Sequence, residues 1–391
     1  MKVLFLEWNG YGNADIKDAY REIGHEVISF PYDPASYRSD PVYENSLTQE
    51  IRKHSPDYIF SFNYFPIVSK VCNQEGLPYI SWVYDSPYIT LYSYMTIFPC
   101  NHIFVFDREF ANEFIKNGIR TVHYLPLAAN TKRLDQMNQF SAFHNSPYAN
   151  KTDVAFIGSL YTENVKSGFF SRFDTVSQYT KGYLDGIMAA QKNVFGYNFI
   201  QETLTPDIIT DLEAACPSKP NADGVESNEY IYAQYFVNRQ ITAMERPEII
   251  RYISQYFPMD LYTPGKDFNC SNVVIHEPVD YYNIAPYVYK CAKINLNISL
   301  RSIKSGMPLR AFDIMGAGGF LLSNFQTDFL DHFIPGEDFA FYDSQKDLVD
   351  KIDYYLRNDA ERIDMAASAH KKIQQQHTFV HRIKEMESYL K

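Results

Sequence analysis

Short apolar runs alternate with helical patterns along the whole chain, and this alternation constrains the fold more than any other feature. VLFLEW (3–8), EVISFPY (26–32), DYIFSFNYF (57–65), YISWVYD (79–85), HIFVFD (102–107) and VHYLPLA (122–128) are separated by helical stretches such as 46–54, 66–76 and 108–117. Strands this apolar are buried on both faces, and helices between them argue a parallel sheet. Right-handed crossovers then give a doubly wound, Rossmann-like domain over 1–130. The polar, aperiodic stretch 131–151 reads as a linker. A second βα series occupies 152–391, with strands at 153–159, 259–265, 272–278, 293–299, 318–324 and about 338–343. A mainly helical insertion, about 160–257, separates its first two strands. The tail reads as two helices, 344–357 and 359–390, the last of which is expected to cross back to the N-terminal domain. The expectation is an α/β chain of two Rossmann-like doubly wound domains facing a cleft, with ligand at the carboxyl ends of the strands.

Composition narrows the class. Net charge is −11 from 36 Lys and Arg against 47 Asp and Glu, with no basic run, which argues against a nucleic-acid or anionic-membrane partner. The five cysteines are scattered, with no C-x-x-C pair, so neither a disulfide framework nor a zinc finger is expected. The opening apolar run meets Glu7 at once and reads as a strand, not a signal peptide. No 18-residue apolar stretch occurs, and a cytoplasmic location is expected. The 16% aromatic content serves either to stack on sugar rings or to fill cores.

The loop after the first strand carries Gly10 and Gly12, which let a ligand approach the backbone or merely form a turn. It resembles a dinucleotide fingerprint, but Asp15 stands where the third glycine belongs and would repel a pyrophosphate. The richest stretch runs from Ser299 to Gly319. A strand ends, a cationic loop follows, and Pro308 opens a helix at a position that favours Pro. A helix N-terminus offers free N–H groups to phosphate, and Arg301, Lys304 and Arg310 add charge there. Asp313, one turn further in, could accept ribose hydroxyls.

The segment PLRAFDIMGAGGFLLSN (308–324) resembles the nucleotide-sugar-binding element of GT-B glycosyltransferases. The chain is most similar to the CgeB-like, spore-maturation-type group, through SWVYDSP (81–87), YLPLAAN (124–130), VAFIGSLY (154–161), SGMPLRAFDIMG (305–316) and FIPGEDF (333–339). The resemblance implies that Gly158 and Ser159 approach a diphosphate, and that Ser305, Gly306 and Arg310 hold it. It also implies that Asp313 binds the ribose and that the loop with His276, Pro278 and Val279 frames the nucleobase. A UDP-sugar donor is what the family leads one to expect. One departure concerns the Glu-x7-Glu pair of more distant relatives: Asp313 matches its second member, but position 305 is Ser.

On the N-terminal side, Asp85 ends a strand and could deprotonate an acceptor hydroxyl in an inverting reaction, or serve as a strand-end hydrogen-bond acceptor. Asn63 and Tyr64, ending the preceding strand, are placed for acceptor contacts by position alone, and Asp107 caps the helix at 108–117. No Asp-x-Asp occurs, so no metal or other cofactor is expected. His377 and His381 lack the Glu of a zinc protease and read as surface positions. No G-x-S-x-G or P-loop motif appears. The expected partners are a nucleotide-sugar donor and a glycan, protein or small-molecule acceptor. Two alternatives are a nucleotide-sugar epimerase on the same fold and a non-catalytic nucleotide-sugar-binding protein.

Overall fold

A computed structural model of the chain describes residues 1–137, 152–162, 170–218, 221–265 and 268–390. The chain divides into two compact units. Each is built on a six-stranded, wholly parallel sheet.

The first unit comprises 1–128, the short return 221–227 and the C-terminal segment from His377. Its strands are β1 (Lys2–Glu7), β2 (Glu26–Pro31), β3 (Tyr58–Phe62), β4 (Tyr79–Val83), β5 (Asn101–Val105) and β6 (Val122–Tyr124). They lie in the order β2-β1-β3-β4-β5-β6. Every residue of β3 and β4 is buried, as double-faced coverage by helices requires. The return 221–227 adds one antiparallel bridge, Ser93 to Gly224. Asp223 fixes it by accepting from Arg38 at 2.8 Å and from Ser93 Oγ at 2.6 Å.

The C-terminal part departs from the single helix expected over 359–390. Helix Asp359–Gln376 stops, and Phe379–Glu387 begins anew behind the N-cap Thr378. His381 Nδ1 accepts the Thr378 backbone N–H at 3.4 Å and meets its hydroxyl at 2.7 Å, an exchange that satisfies orphan donors of the new helix. His377 is not a surface residue: it is buried and bonded through Nδ1 to the buried Arg382. Arg382 Nε also donates to the carbonyls of Pro126 and Leu127. Glu387, near the end of this helix, accepts from Tyr58 at 2.8 Å and lies 2.6 Å from His25.

The second unit comprises 129–218 and 228–376. Its strands are β7 (Val154–Ile157), β8 (Met259–Tyr262), β9 (Val273–His276), β10 (Ile294–Asn297), β11 (Leu321–Asn324) and β12 (Ala340–Tyr342). Their order is β12-β11-β10-β7-β8-β9. The insertion between β7 and β8 is helical, with Gln178–Lys192, Pro206–Ala215 and Asn238–Ser254 its longest pieces. Part of the expected linker is ordered as the helix Thr131–Gln136, capped by Asn130, while 138–151 lie outside the described residues. The core gathers Val154, Phe156, Ile249, Ile250, Ile253, Leu296 and Leu322 between sheet and helices.

Candidate nucleotide-binding site

The carboxyl ends of β7 and β10 in the second unit bring together residues that lie far apart in the sequence. Arg310, on the second residue of the helix Leu309–Gly316, donates from Nε to the Ile157 carbonyl at 2.7 Å and from Nη1 to Asn297 Oδ1 at 2.9 Å. Its Nη2 lies against Gly158, where an added Cβ would stand only 2.6 Å from it. Gly158 is therefore required by a close approach of side chain to backbone. The guanidinium also lies over the Phe156 ring, 4.9 Å from its centroid.

Arg246 reaches the same place from the helix Asn238–Ser254. It donates to the Ser159 carbonyl at 2.6 Å and to the Ile298 carbonyl, and its guanidinium lies over Phe156 and Tyr161. It is only 3% exposed, yet its Nε has no hydrogen-bond partner. Among the described residues no carboxylate pairs with either arginine. Burial, and then the positive charge of Arg310, push Arg246 down to about 10, and burial lowers Arg310 as well. Both remain cationic at neutral pH. A buried and a half-buried guanidinium, with an orphan donor and with Glu245 and Asp313 acting on them only from a distance, form a site that an anion would complete.

Arg246 was not foreseen from sequence. The signal was present: Asn238, Thr242, Glu245 and Arg246 are all buried, at a spacing that puts them on one helical face. A polar stripe on a buried face demands partners, whereas apolar neighbours at 241, 249, 250 and 253 supply ordinary packing.

Arg301 was expected to grip phosphate, and the structure commits it elsewhere. Its Nε donates to Glu245 Oε2 at 2.8 Å and Nη2 pairs with Glu245 Oε1, while Nη1 and Nη2 donate to the carbonyls of Val194 and Lys192. With the guanidinium also over the Phe195 ring at 4.6 Å, Arg301 anchors the loop to the insertion. Pro308 is the N-cap rather than the first helical residue, so the helix starts at Leu309. Ser305 and Gly306 are buried within the loop, and the Ser305 carbonyl accepts from the Asp328 N–H at 3.1 Å. Lys304 lies beside them, half-buried. Ser159 follows Gly158 at the end of β7, and its Oγ accepts from Tyr161 N at 2.8 Å.

Asp313 lies one turn along the helix from Arg310, 7% exposed, and accepts from the Tyr281 hydroxyl at 3.1 Å. His276 ends the edge strand β9. Its ring stacks on Tyr262 at 4.4 Å, and its Nε2 meets Asp260 at 2.5 Å. That ring is engaged, so any base held here would meet the backbone of the loop, where Pro278 is exposed and Val279 half-buried.

In the first unit, Asp85 follows β4 and keeps solvent access while its surroundings are crowded. Desolvation raises its carboxyl above the usual carboxylate value, against a 2.8 Å hydrogen bond from Asn63 Nδ2 that lowers it. Asn63, buried with φ +62°, also accepts from the N–H groups of Tyr84 and Asp85. Its side chain thus holds the Asp85 loop and does not present itself to an acceptor. Tyr64 is fully buried, with its carbonyl accepting from Tyr88 and Thr90, so it too supports that loop instead of lining a surface. Gly10 and Gly12 form a turn around Trp8: Gly10 N donates to the Trp8 carbonyl, and Gly12 caps the next helix at φ +88°. Asp107 caps the helix Arg108–Lys116, accepting from Phe110 N.

Among the described residues, no group of three or more His, Cys, Asp or Glu gathers to hold a metal, and no helix is long and apolar enough to cross a membrane.

Residues 246–388 match a family described as glycosyl transferase-like, a match that begins at Arg246. No curated protein matches the chain in sequence. Among solved structures, a glycosyltransferase from Rickettsia africae aligns over 100% of this chain and 98% of its own, at TM-score 0.55 and 10% identity. HepE from Anabaena, solved with UDP and glucose, aligns over 100% of both chains at TM-score 0.54 and 10% identity. Sucrose-phosphate synthase from Thermosynechococcus elongatus aligns over 100% and 99%, at TM-score 0.53 and 11% identity. The two doubly wound units are thus the fold of these glycosyltransferase structures, and the segment 246–388 is similar to a glycosyl transferase-like family.

Proposed function

We propose that the protein transfers a sugar from a UDP-sugar donor to a hydroxyl acceptor without a metal ion. The observation that carries this reading is the pair of guanidiniums of the buried Arg246 and the half-buried Arg310 beside Gly158, neither bonded to a carboxylate. They are suited to a diphosphate, whose charge grows as the bond from sugar C1 to phosphate oxygen breaks. Ser159, Lys304, Ser305 and Gly306 border that diphosphate, Asp313 takes the ribose hydroxyls, and the 276–279 backbone frames the base. In an inverting displacement Asp85 accepts the acceptor's proton, and its raised pKa suits a general base. HepE, with its bound UDP and glucose on a like fold, supports the choice of UDP. Membership of the CgeB-like group is part of the same proposal.

The test is thermal unfolding against a panel of nucleoside diphosphates, followed by nucleotide-release assays. A ligand at 100 times its dissociation constant stabilises by about 2.7 kcal/mol. Stabilisation by UDP, with UDP release from a UDP-sugar only when acceptor is present, supports the reading. Epimerisation without acceptor, or binding without turnover, would replace it.

A further inference from the structure

Arg301 and Arg310 both lie on the segment that follows β10, yet they meet partners of different charge. Arg301 is paired with the buried carboxylate of Glu245. Arg310 meets neutral acceptors: the Ile157 carbonyl takes Nε at 2.7 Å, and Asn297 Oδ1 takes Nη1 at 2.9 Å. Among the described residues its Nη2 bonds none.

We propose that Asn297 is the positioning residue of the anion site, aiming Arg310 at the ligand and, by being neutral, leaving the guanidinium's charge to that ligand. The inference rests on the diphosphate reading above and adds to it the residue that preserves the site's charge.

Asn297 ends β10 with no exposed surface, and a buried amide needs a partner for every polar atom. The network around it fixes which way the amide faces. Ser323 Oγ donates to the Asn324 carbonyl at 2.8 Å, so it meets Asn297 Nδ2 as an acceptor, at 2.9 Å. Ser299 Oγ accepts from the same Nδ2 at 3.1 Å. With both Nδ2 hydrogens given to hydroxyls, Oδ1 is the atom turned to Arg310. Asn324 Oδ1 accepts the Ser299 N–H at 2.8 Å and ties the start of the loop to the end of β11. Ser299, Ser323 and Asn324 are themselves buried, so the aim of the guanidinium is set by a closed polar network.

The neutrality of residue 297 matters as much as its position. A carboxylate there would pair with Arg310 as Glu245 pairs with Arg301, and would set a negative charge beside the diphosphate. Like charges that close repel, and burial strengthens the repulsion. Asp313, one turn along the helix from Arg310, bonds Tyr281 and acts on the guanidinium from a distance. An amide thus supplies the hydrogen bond without the charge.

Asn297→Asp keeps the size of the side chain, and the Ser299 and Ser323 hydroxyls can turn to donate to the new oxygen. The test titrates the full chain with UDP, inorganic pyrophosphate and uridine by calorimetry, and follows its thermal unfolding without ligand, for the wild type, Asn297→Asp and Asn297→Ala. In Asn297→Asp the ligand-free protein should unfold at or above the wild-type temperature. UDP and pyrophosphate should bind about 10- to 150-fold more weakly, the worth of one charge-assisted hydrogen bond, with uridine unchanged. Asn297→Ala keeps the charge and loses the aim, so the two anions should weaken by about fivefold, again with uridine unchanged. A role in folding alone would lower the unfolding temperature of Asn297→Asp and weaken uridine together with the anions, and that result overturns the proposal. Affinity for UDP and pyrophosphate within twofold of wild type in either folded variant overturns it as well, so Asn297→Ala decides if Asn297→Asp does not fold. A wild-type chain that binds none of the three ligands instead removes the diphosphate reading, and the role of Asn297 with it.

Discussion

Replacing Arg246 by Met separates binding from stability, because the two effects have opposite origins. In the free protein the substitution removes two charge-assisted hydrogen bonds, to the Ser159 and Ile298 carbonyls, worth about 3 kcal/mol together at the low end of their range. It also removes a buried charge that no carboxylate bonds to and an orphan Nε, features that cost several kcal/mol when left uncompensated. The methionine stem fills much of the same space beside Phe156. These terms nearly cancel, so unfolding of the ligand-free protein should move by no more than about 1.5 kcal/mol, a few degrees in a unit of this size. UDP binding has no such cancellation. Losing one charge-assisted grip on the diphosphate costs about 1.5–3 kcal/mol, a fall of about 10- to 150-fold in affinity. Differential scanning calorimetry without ligand and isothermal titration with UDP read the two quantities. An affinity within twofold of wild type would refute the reasoning on binding. A loss of more than about 4 kcal/mol in the free protein would show that the guanidinium is an internal anchor.

Other substitutions probe the remaining residues. Gly158→Ala should displace Arg310, since the new methyl would sit 2.6 Å from Nη2; overpacking of about 1–3 kcal/mol in stability and weakened UDP binding should appear together in thermal-shift titrations. Arg301→Ala should destabilise the protein by about 3–5 kcal/mol in denaturant unfolding, because Glu245 is left buried and unpaired. Asp313→Ala should abolish any preference for UDP over 2′-deoxy-UDP while leaving the diphosphate contacts in place, which competition binding can measure. Asp85→Asn should lower turnover by about 10²–10⁴ with donor affinity unchanged. The pH profile carries a sign as well. Folding raises the Asp85 carboxyl, so the base form, and activity with it, is lost as pH falls through a value above that of an ordinary aspartate. The same shift means that ionising Asp85 opposes folding, so Asp85→Asn should gain stability at neutral pH and lose that gain under acid conditions.

The sheets were legible because strands covered on both faces leave unbroken apolar runs, which the composition of β3, β4 and β7 displays directly. The break at His377 and Thr378 was hidden, since nothing in QQQHTFVH disrupts helical periodicity; the local exchange between Thr378 and His381 stops the helix. The meeting of Gly158 and Arg310 was legible, because Arg310 stands at a strand–loop–helix junction with a local signature. The partners of Arg301 and the place of Arg246 were not, for one reason. Whether an arginine is spent on a carboxylate depends on partners distant in sequence, here Glu245 for Arg301 and none for Arg246. Adjacent residues on one helix, Glu245 and Arg246, are thereby placed differently: one neutralises Arg301, and the other is the residue we propose for an anion.

The central claim is that the second unit holds a nucleoside diphosphate between Arg246 and Arg310. A crystal structure of the chain grown with UDP and without added metal tests it most directly. Diphosphate oxygens are expected within hydrogen-bond distance of Arg246 Nε and Arg310 Nη2, beside Gly158, with the ribose at Asp313. UDP bound elsewhere, with both guanidiniums unchanged and Nε still unpartnered, would contradict the claim.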